Sequence, residues 1–430
     1  MPKALVLGGY GLIGSACCRA LVAEGFEVVG LGRSKRATRS VHSDVEWIIA
    51  DLAALTTERW RDLLDSIDVV VNAAGALQDG PKDDLDAIHV QTMDRLCAVA
   101  EPELRFVQVS AAGVSLEALT PFFRSKAQGD AILSASPCDW VILRPTLVIS
   151  SDAYGGTALL RGAAALPGIL PRVLPESLVQ TVHIDDLANA VVVAAKGQVP
   201  TGTVVDITAP EATPFPELLA KMRQWLGFAD PRFQVSIPDW CLHLVGRCAD
   251  GLGRLGWRSP LRSNALQALR ESIQGDPGAW EALNGAPCRS LDTTLLSIPA
   301  TRQERFFARL YFAVPFAIAI LSAFWFLSGL LTLAFPRAAA AYLADSNMSS
   351  TAIWVLVFGG AIADVALGLA ILWRPWCRVA ALGMIGLACA YLVGGALTAP
   401  KLWADPLGPM IKVFPSIALG IIVWLGVEER

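Results

Sequence analysis

The chain has 430 residues, enough for two or three domains, and 54% of them are hydrophobic, with a mean hydropathy of +0.49. These values exceed those of an ordinary soluble protein, and a formal net charge of −4 argues against a nucleic acid as partner. The charged residues are unevenly distributed, because residues 310–427 contain only eight of them. The sequence therefore predicts a soluble front part joined to a membrane-embedded back part.

Two features point to a reducing, cytoplasmic location for the front part. The nine cysteines are scattered and include no CxxC pair, so we expect reduced thiols and neither disulfides nor a metal site. The first residues, MPKALVLGG, already read as a strand that runs into a glycine turn, so we expect no signal peptide. Residues 1–300 should therefore stay in the cytoplasm.

The first 32 residues predict a strand, a tight turn, a helix and a second strand. Gly8, Gly11 and Gly14 follow the apolar strand at GxxGxxG spacing, and the helix after them offers free N–H groups and a positive dipole to phosphates. This order favours a dinucleotide-binding turn over a purely structural one.

The segment after the second strand is basic. It reads GRSKRATR and contains Arg33, Ser34, Lys35, Arg36 and Arg39. A site that prefers NAD carries an acid here for the ribose 2′-hydroxyl, whereas cations suit the 2′-phosphate of NADP. We therefore expect NADPH rather than NADH, and the alternative interpretation is a solvated basic loop.

The same alternation of strands and helices continues to about residue 143. The predicted elements are a strand at 45–50, a helix near 57–65, a strand at 67–72, a helix at 83–100, a strand at 104–109, a helix at 121–135 and a strand at 140–143. Such alternation predicts an α/β fold, a doubly wound parallel sheet of the Rossmann type, with its ligand at the carboxyl ends of the strands.

Seven segments, in this order, resemble the short-chain dehydrogenase/reductase superfamily, particularly its extended and atypical members. They are GGYGLIG at 8–14, ADL at 50–52, VNAAG at 71–75, VQVSAAGV at 107–114, RSKAQGD at 124–130, ILRPTLVIS at 142–150 and VHIDDLANAV at 182–191. The resemblance implies that Asp51 holds the adenine and that Arg144 and Pro145 lead into the nicotinamide pocket. It places Ser110 in the catalytic serine position and Lys126 at the nicotinamide ribose. The expected cofactor-binding set is Gly8, Tyr10, Gly11, Leu12, Ile13, Gly14, Arg33, Ser34, Arg36, Asp51, Leu52, Asn72, Ala73, Ala74, Gly75, Lys126 and Pro145.

The family's proton donor is missing. Phe122 stands four residues before Lys126, where the family carries a tyrosine whose pKa the lysine lowers. Tyr154 is the one other tyrosine with a plausible reach, and its glycine neighbours predict a mobile surface loop. Three explanations stay open: Lys126 acts as the acid or base, as in isoflavone-reductase-like relatives; the reaction needs no strong acid; or NADPH is bound without turnover, as in an accessory subunit of respiratory complex I. His89 and His183 are expected to be structural.

Residues 211–300 are rich in proline and tryptophan and predict a cap over the substrate cleft and a linker, with helices at 214–227 and 261–273. Within them, DWCLHLVGRCADGLGRLGW at 239–257 places Trp240, Leu244, Val245 and Cys248 at helical spacing. Such a segment fits a cap helix that packs on the front domain, and the alternative is a helix on the membrane surface.

Four apolar stretches, 310–335, 352–373, 379–399 and 411–427, predict a bundle of four transmembrane helices within residues 301–430. An N-terminal reductase-like domain, here residues 1–210, followed by such a bundle resembles DoxX-like fusion proteins. One side of the predicted topology carries Arg302, Arg305, Arg309, Arg374, Arg378 and Arg430, and the other carries Arg337, Lys401 and Lys412. This bias places the N-terminal domain and the C-terminus in the cytoplasm of a bacterial-type inner membrane. Asp364, within a span, is a candidate proton relay, quinone contact or interhelical hydrogen-bond acceptor.

Together these observations predict a membrane-anchored, NADPH-binding atypical reductase for an apolar carbonyl, enone or quinone. We see no specific flavin motif. The alternative is an NADPH-bound scaffold or redox sensor for a membrane-protein partner, and the sequence does not define the oligomeric state.

Overall fold

The computed structural model describes residues 1–38, 44–80, 83–257, 259–284, 286–344, 346, 348–406 and 408–427. Two positions from the sequence analysis, Arg39 of the basic segment and Arg430 of the topology argument, lie outside these described residues.

Seven parallel strands form the central sheet, with the order β11-β6-β5-β4-β1-β2-β3. The described strands are β1 Lys3–Leu7, β2 Glu27–Gly32, β3 Val45–Ile49, β4 Val69–Asn72, β5 Arg105–Val109, β6 Asp139–Pro145, β7 Leu147–Ile149, β8 Ile169–Arg172, β9 Leu178–Val179, β10 Thr181–His183, β11 Thr203–Ile207, β12 Thr213–Pro214 and β13 Phe233–Ser236. The predicted doubly wound Rossmann sheet is therefore confirmed. The remaining strands form three separate two-stranded ladders.

Helices cover both faces of the central sheet. The helices up to residue 297 are α1 Leu12–Ala23, α2 Lys35–Thr38, α3 Thr57–Leu64, α4 Thr92–Cys97, α5 Pro121–Ser134, α6 Gly155–Ala164, α7 Ile184–Ala195, α8 Phe215–Trp225, α9 Asp239–Arg254, α10 Ser263–Arg270, α11 Pro277–Asn284 and α12 Leu291–Ser297. On β1, Val6 packs with α1 and α7 residues in one buried cluster, whereas Leu5 and Leu7 pack with α3, α4 and α5 residues in another. Alternate side chains of one strand thus enter the two cores, as a strand buried on both faces requires.

Two local predictions differ from the structure. The predicted helix at 83–100 contains a π-helical turn, Ala87–Gln91, before α4. The hydroxyl of Thr92 donates to the Ala87 carbonyl at 2.8 Å, which accompanies this break in the helical ladder. The predicted mobile loop around Tyr154 is wrong, because Gly155 opens α6 and Tyr154 is its N-cap residue.

The described chain divides into two compact units: Met1–Asp250 with Ser259–Ala308, and Gly251–Arg258 with Arg309–Arg430. Most of residues 211–300 therefore belong to the first unit, where α6, α8 and α12 share a buried apolar cluster. The separate cap-and-linker domain at 211–300 stays a prediction.

Helices dominate the second unit. They are α13 Arg302–Leu310, whose last two residues belong to this unit, α14 Ala313–Ala334, α15 Pro336–Ala341, α16 Ser350–Ala370, α17 Cys377–Thr398 and α18 Val413–Gly426. Three described segments are long and apolar enough to cross a membrane: Arg302–Ala334, Ser350–Ala370 and Arg374–Thr398. The fourth predicted span forms α18, which has 14 residues and a length of about 21 Å, short of the ~30 Å hydrocarbon layer. The count of four membrane-crossing helices therefore stays a prediction.

Candidate functional site

The glycine turn between β1 and α1 leaves no room for side chains. Gly8 has a φ of +71°, and a Cβ added there would lie 2.8 Å from the Ala74 Cα atom. A Cβ on Gly14 would lie 2.2 Å from the Gly8 carbonyl oxygen. α1 begins after Gly11 without a side-chain cap and without an acid in its first turn. The first-turn amides, of Leu12, Ile13 and Gly14, thus suit an anion, and this steric fit agrees with a bound pyrophosphate.

The sheet order reverses between β1 and β4, where a Rossmann fold binds its ligand. Asn72 ends β4, and its side chain points into the protein rather than out to a ligand. Its Nδ2 group donates to Gln108 at 2.9 Å, and its Oδ1 atom accepts from the Ala74 amide at 3.1 Å. Asn72 therefore shapes the 73–75 segment that lines the crevice.

The end of β2 is covered by an aromatic ring. A Cβ on Gly32 would lie 2.2 Å from the Tyr10 ring, and Tyr10 itself lies 6.5 Å from Trp47 between ring centroids. Arg33, which follows, donates to Asp83 at 2.6 Å. Asp83 was not predicted near this site, because it lies 50 residues away from Arg33 in the chain.

The remaining residues expected near the adenosine end surround this strand end. Ser34 accepts from the Ala37 amide at the start of α2, and Arg36 is exposed on that helix. Asp51, after β3, is exposed and accepts from the Ala53 amide at 3.1 Å, capping a single 3-10 turn that starts with Leu52. The structure thus brings the residues that were expected near the adenosine to the carboxyl ends of β2 and β3, at one edge of the sheet.

Lys126 is buried in α5, with 6% of its surface exposed. Its Nζ atom donates to the Val109 carbonyl at the end of β5 at 3.0 Å, and it lies 3.9 Å from the Cβ position of Gly75. Burial lowers the pKa of the Lys126 ammonium, and the negative charge of Asp130 partly opposes this shift. The structure therefore brings Lys126 to the same crevice as the 73–75 segment.

The hydroxyl group of Ser110 is hydrogen-bonded to a carboxylate group. Ser110 is 4% exposed, and its Oγ atom donates to Asp130 at 2.6 Å. Asp130 also lies 3.5 Å from the Arg144 guanidinium, and its Oδ1 atom accepts no hydrogen bond from the part of the chain that the structure describes. Burial raises the pKa of Asp130, while Ser110, Lys126 and Arg144 oppose this shift.

Asp130 was not predicted as a site residue, although the sequence carries a signal for it. Lys126 and Asp130 are four residues apart on α5, a spacing that places two side chains on one face of a helix. Pro145, at the end of the neighbouring strand, is buried, and its carbonyl accepts from the Ala112 amide at 2.9 Å. Ser110, Lys126 and Asp130, which are buried, thus form a polar cluster that the partly exposed Arg144 borders.

His89 links the 73–75 segment to α5. Its Nε2 atom accepts from the Ala76 amide at 3.3 Å, so its Nδ1–H donates to Ser125 at 2.8 Å, and Ser125 donates to the Phe122 carbonyl at 3.1 Å. Burial, followed by the charge of Lys126, lowers the pKa of His89 to about 3. The neutral imidazole of His89 therefore holds the 73–76 segment and α5 in position relative to each other through these hydrogen bonds.

Phe122, which the sequence resemblance places at the position of a tyrosine, contacts both His89 and Lys126. Its ring centroid lies 5.9 Å from the His89 ring and 5.9 Å from the Lys126 Nζ atom. Tyr154 is half-exposed as the N-cap residue of α6. His183 caps α7 by accepting from the Asp185 amide at 3.0 Å, which is a structural contact.

A second polar cluster lies within the second unit. Asp364 of α16 is 5% exposed and accepts from Tyr391 of α17 at 2.7 Å and from Ser328 of α14 at 3.1 Å. Trp325 stacks on Tyr391 and is buried, and its Nε1 atom has no acceptor among the described residues. Asp364 therefore joins three helices through hydrogen bonds, which is one of the three roles that the sequence left open.

Two family models match this chain. Residues 8–169 match a model described as NAD(P)H-binding, and residues 322–421 match that of the DoxX-like family. An uncharacterized chloroplastic protein of Arabidopsis thaliana is 28% identical over 216 residues, which cover 45% of this chain and 71% of that protein. MIOREX complex component 2 of Saccharomyces cerevisiae is 31% identical over 84 residues, 18% of this chain and 30% of that protein.

Solved structures share the fold of the first unit. The enzyme WbmG of Bordetella bronchiseptica, in complex with NAD, has a TM-score of 0.52 and 18% identity over 68% of this chain and 91% of that chain. UDP-glucose 4-epimerase of Thermotoga maritima, with UDP-glucose, has a TM-score of 0.52 and 17% identity over 70% of this chain and 99% of that chain. The fold and the glycine turn define an NAD(P)H-binding Rossmann domain. This chain joins that domain to a C-terminal DoxX-like domain whose apolar helices are typical of a membrane protein.

Proposed function

We propose that this protein is a membrane-anchored, NADPH-dependent reductase of an apolar carbonyl or enone, or of a quinone, with Lys126 as its proton donor. The observation that carries the proposal is the buried Lys126 ammonium, which lies at the crevice between β1 and β4 beside Gly75. A general acid works best when its pKa approaches the operating pH, and burial moves the pKa of Lys126 in that direction.

The residues around the crevice have separate tasks in this mechanism. The amides at the start of α1 hold the pyrophosphate, and Lys126 orients the nicotinamide ribose and donates a proton to the substrate oxygen. When bound, the dihydronicotinamide supplies the hydride. Lys126 becomes a neutral amine in this step and is reprotonated from solvent, so protons and electrons balance. Asp130 favours the charged form of Lys126 and thereby returns it to the donor state.

NADPH rather than NADH is proposed on the basis of the end of β2. No acid stands directly after β2; the strand is followed by Arg33, Ser34, Lys35 and Arg36. Arg33 already pairs with Asp83, so a 2′-phosphate would share or replace that carboxylate as the partner of the guanidinium. Cations at this position favour the additional phosphate over a bare ribose hydroxyl.

An apolar substrate is proposed because the catalytic domain precedes helices that suit a lipid bilayer. Anchoring keeps the crevice at the membrane, where apolar carbonyl compounds concentrate. We propose an integral protein of a bacterial-type inner membrane, with both termini in the cytoplasm. A reporter enzyme that works only outside the cytoplasm should be active when it is fused after Arg337. A reporter that works only in the cytoplasm should be active when it is fused to the C-terminus. The opposite result at either point would overturn this topology.

A second candidate function is an NADPH-holding scaffold for a membrane-protein partner. It is favoured by Phe122, which has no proton to donate, and by Ser110, whose hydroxyl group is bonded to Asp130. In that case Lys126 only positions the ribose. The two candidates differ in whether the bound NADPH is consumed.

Substrate-dependent oxidation of NADPH by the purified chain, with a lipid extract as the source of acceptors, separates the two functions. The reductase proposal expects turnover that Lys126→Met abolishes while most of the NADPH affinity remains, because the phosphate contacts lie elsewhere. Phe122→Tyr is the matched gain-of-function variant and should raise carbonyl reduction. If all three proteins bind NADPH and none oxidises it with any apolar acceptor in the extract, the scaffold function replaces the reductase.

A further inference from the structure

The helix α9 exposes an apolar stripe to solvent. Trp240, Leu244, Cys248 and Leu252 follow one another at intervals of four residues, and each is exposed; the fractions for Trp240 and Leu244 are 67% and 56%. Residues four apart lie along one face of a helix. A surface helix of a soluble domain turns such a stripe toward its core, so α9 presents the apolar face on the side opposite to the expected one.

The inner face of α9 is already packed. Leu242 and Ala249 are buried, and a Cβ on Gly246 would lie 3.0 Å from Ser263 and 3.4 Å from Leu266 of α10. The inner face of α9 therefore packs on the first unit, as predicted for a cap helix. The exposed stripe is a second apolar face, which the first unit leaves uncovered.

Cations border the stripe on one side. Arg247 and Arg254 are both exposed, and they are seven residues apart, so they lie in one line on the helix. An apolar face with tryptophan and leucine, bordered by arginine, is the composition of a helix that lies in the headgroup region of a bilayer. The arginine side chains would then reach the lipid phosphates.

The C-terminal end of α9 continues into the membrane unit. Residues 251–258 belong to that unit, and the Leu255 carbonyl accepts from the Arg374 amide at 3.0 Å. Trp257 donates to the Leu372 carbonyl at 2.6 Å and lies under the Arg374 guanidinium at 5.3 Å. Leu372 and Arg374 lie at the turn between two segments that are long and apolar enough to cross a membrane, Ser350–Ala370 and Arg374–Thr398. The residues directly after α9 are therefore hydrogen-bonded to this turn.

Two exposed tryptophans mark this same turn as interfacial. Trp373 and Trp376 are 50% and 52% exposed and stack at 6.2 Å between ring centroids. Tryptophan is enriched where membrane helices meet the headgroups. We propose that the stripe Trp240–Leu244–Cys248–Leu252 of α9 lies in the headgroup region of the membrane that the second unit spans, with anionic phosphates next to Arg247 and Arg254. This inference is independent of the proposed reductase activity.

A nitroxide on Cys248 tests the proposal in the full chain. Cys241→Ser and Cys389→Ser leave Cys248 as the accessible thiol, because the other cysteines are buried. In bilayers that contain phosphatidylglycerol, the collision frequency with oxygen should exceed that with a water-soluble nickel complex severalfold. The reference is a label at residue 62 (Asp62→Cys with Cys248→Ser in the same chain), where the side chain is 68% exposed and the order of the two frequencies should be reversed.

Substitutions in the stripe supply the second arm. Trp240→Gln with Leu244→Gln should lower the ratio of oxygen to nickel collisions at Cys248, whereas His243→Gln, an exposed change outside the stripe, should leave it unchanged. The proposal is overturned if Cys248 behaves like residue 62. It is also overturned if both collision frequencies are low at Cys248, because that result means that protein, and not lipid, covers the stripe.

Discussion

Replacing Gly14 with alanine should weaken cofactor binding while leaving the chain folded. A Cβ at this position would lie 2.2 Å from the Gly8 carbonyl oxygen and 2.8 Å from its carbon atom. Both are backbone atoms, so no side-chain rotation relieves the overlap. Restoring an ordinary separation of ~3.5 Å requires the turn and the start of α1 to move apart by roughly 1 Å.

The size of the effect follows from this displacement. Overpacking of this kind costs about 1–3 kcal/mol of stability. The loss of one charge-assisted hydrogen bond between a first-turn amide and the pyrophosphate costs about 1.5–3 kcal/mol of binding free energy. We therefore expect the dissociation constant for NADPH to rise by about 10-fold to 100-fold.

Fluorescence titration of NADPH with the detergent-solubilised chain measures the change, and thermal unfolding checks the fold. Gly156→Ala is the matched control, because Gly156 is helical and a Cβ there meets nothing within 4 Å. The control should bind NADPH like the wild type. An unchanged dissociation constant in Gly14→Ala would refute the assignment of the α1 N-terminus as the phosphate site.

Three further outcomes are expected. Arg33→Ala should weaken the binding of NADPH by about 1–3 kcal/mol and leave that of NADH unchanged in calorimetric titrations, whereas Asp83→Ala, which removes one carboxylate that competes for Arg33, should not weaken NADPH binding; equal losses for both cofactors would contradict a 2′-phosphate contact. Burial lowers the pKa of His89 from its ordinary value of 6.5 to about 3, so the unfolded state binds a proton that the folded state does not. The stability difference between the wild type and His89→Gln should therefore shrink as pH falls below 6.5, by up to ~1.4 kcal/mol per pH unit, in thermal unfolding curves. Asp364→Leu should lower the unfolding temperature more than Asp364→Asn, because the leucine leaves the Tyr391 hydroxyl without its acceptor, a loss on the order of 1 kcal/mol; equal temperatures would show that these hydrogen bonds are not stabilising.

The fold was accessible from the sequence because its signals are local and repeated. Apolar runs such as Ala4–Leu7, turn glycines and alternating helices recur along the first 150 residues, and each strand prediction was met within about two residues, within the usual uncertainty of element ends. The long apolar segments after residue 310 are equally direct, because composition alone indicates a helix that crosses a membrane. The length of α18 was less direct, because a helix end depends on turns and caps rather than on hydropathy.

The contacts between distant side chains could not be predicted. Arg33 reads as a free cation beside a 2′-phosphate, and its pairing with Asp83 depends on how the segment after β4 folds back across the sheet edge. Similarly, the sequence predicts apolar residues at helical spacing along α9, but this spacing does not indicate which face of the helix packs on the first unit. The structure shows that Leu242 and Ala249 pack inward while the tryptophan-bearing stripe stays exposed.

The absent tyrosine has a consistent explanation in the contacts of Phe122. The Nε2 atom of His89 accepts a hydrogen bond from the Ala76 amide. Its Nδ1–H group donates to the Ser125 hydroxyl, which in turn donates to the Phe122 carbonyl, so backbone groups at both ends fix the neutral tautomer of His89. A neutral imidazole and a phenyl ring beside Lys126 supply no negative charge to hold its proton. Burial lowers the pKa of Lys126, and the carboxylate of Asp130, one turn along the helix, opposes this effect only in part. A tyrosine in a related reductase needs a lysine to lower its pKa, whereas a lysine among neutral groups has its own pKa lowered. In the proposed reductase, the absence of a tyrosine at position 122 and the burial of Lys126 would therefore belong to one arrangement, in which Lys126, four residues further along α5, replaces the tyrosine as proton donor.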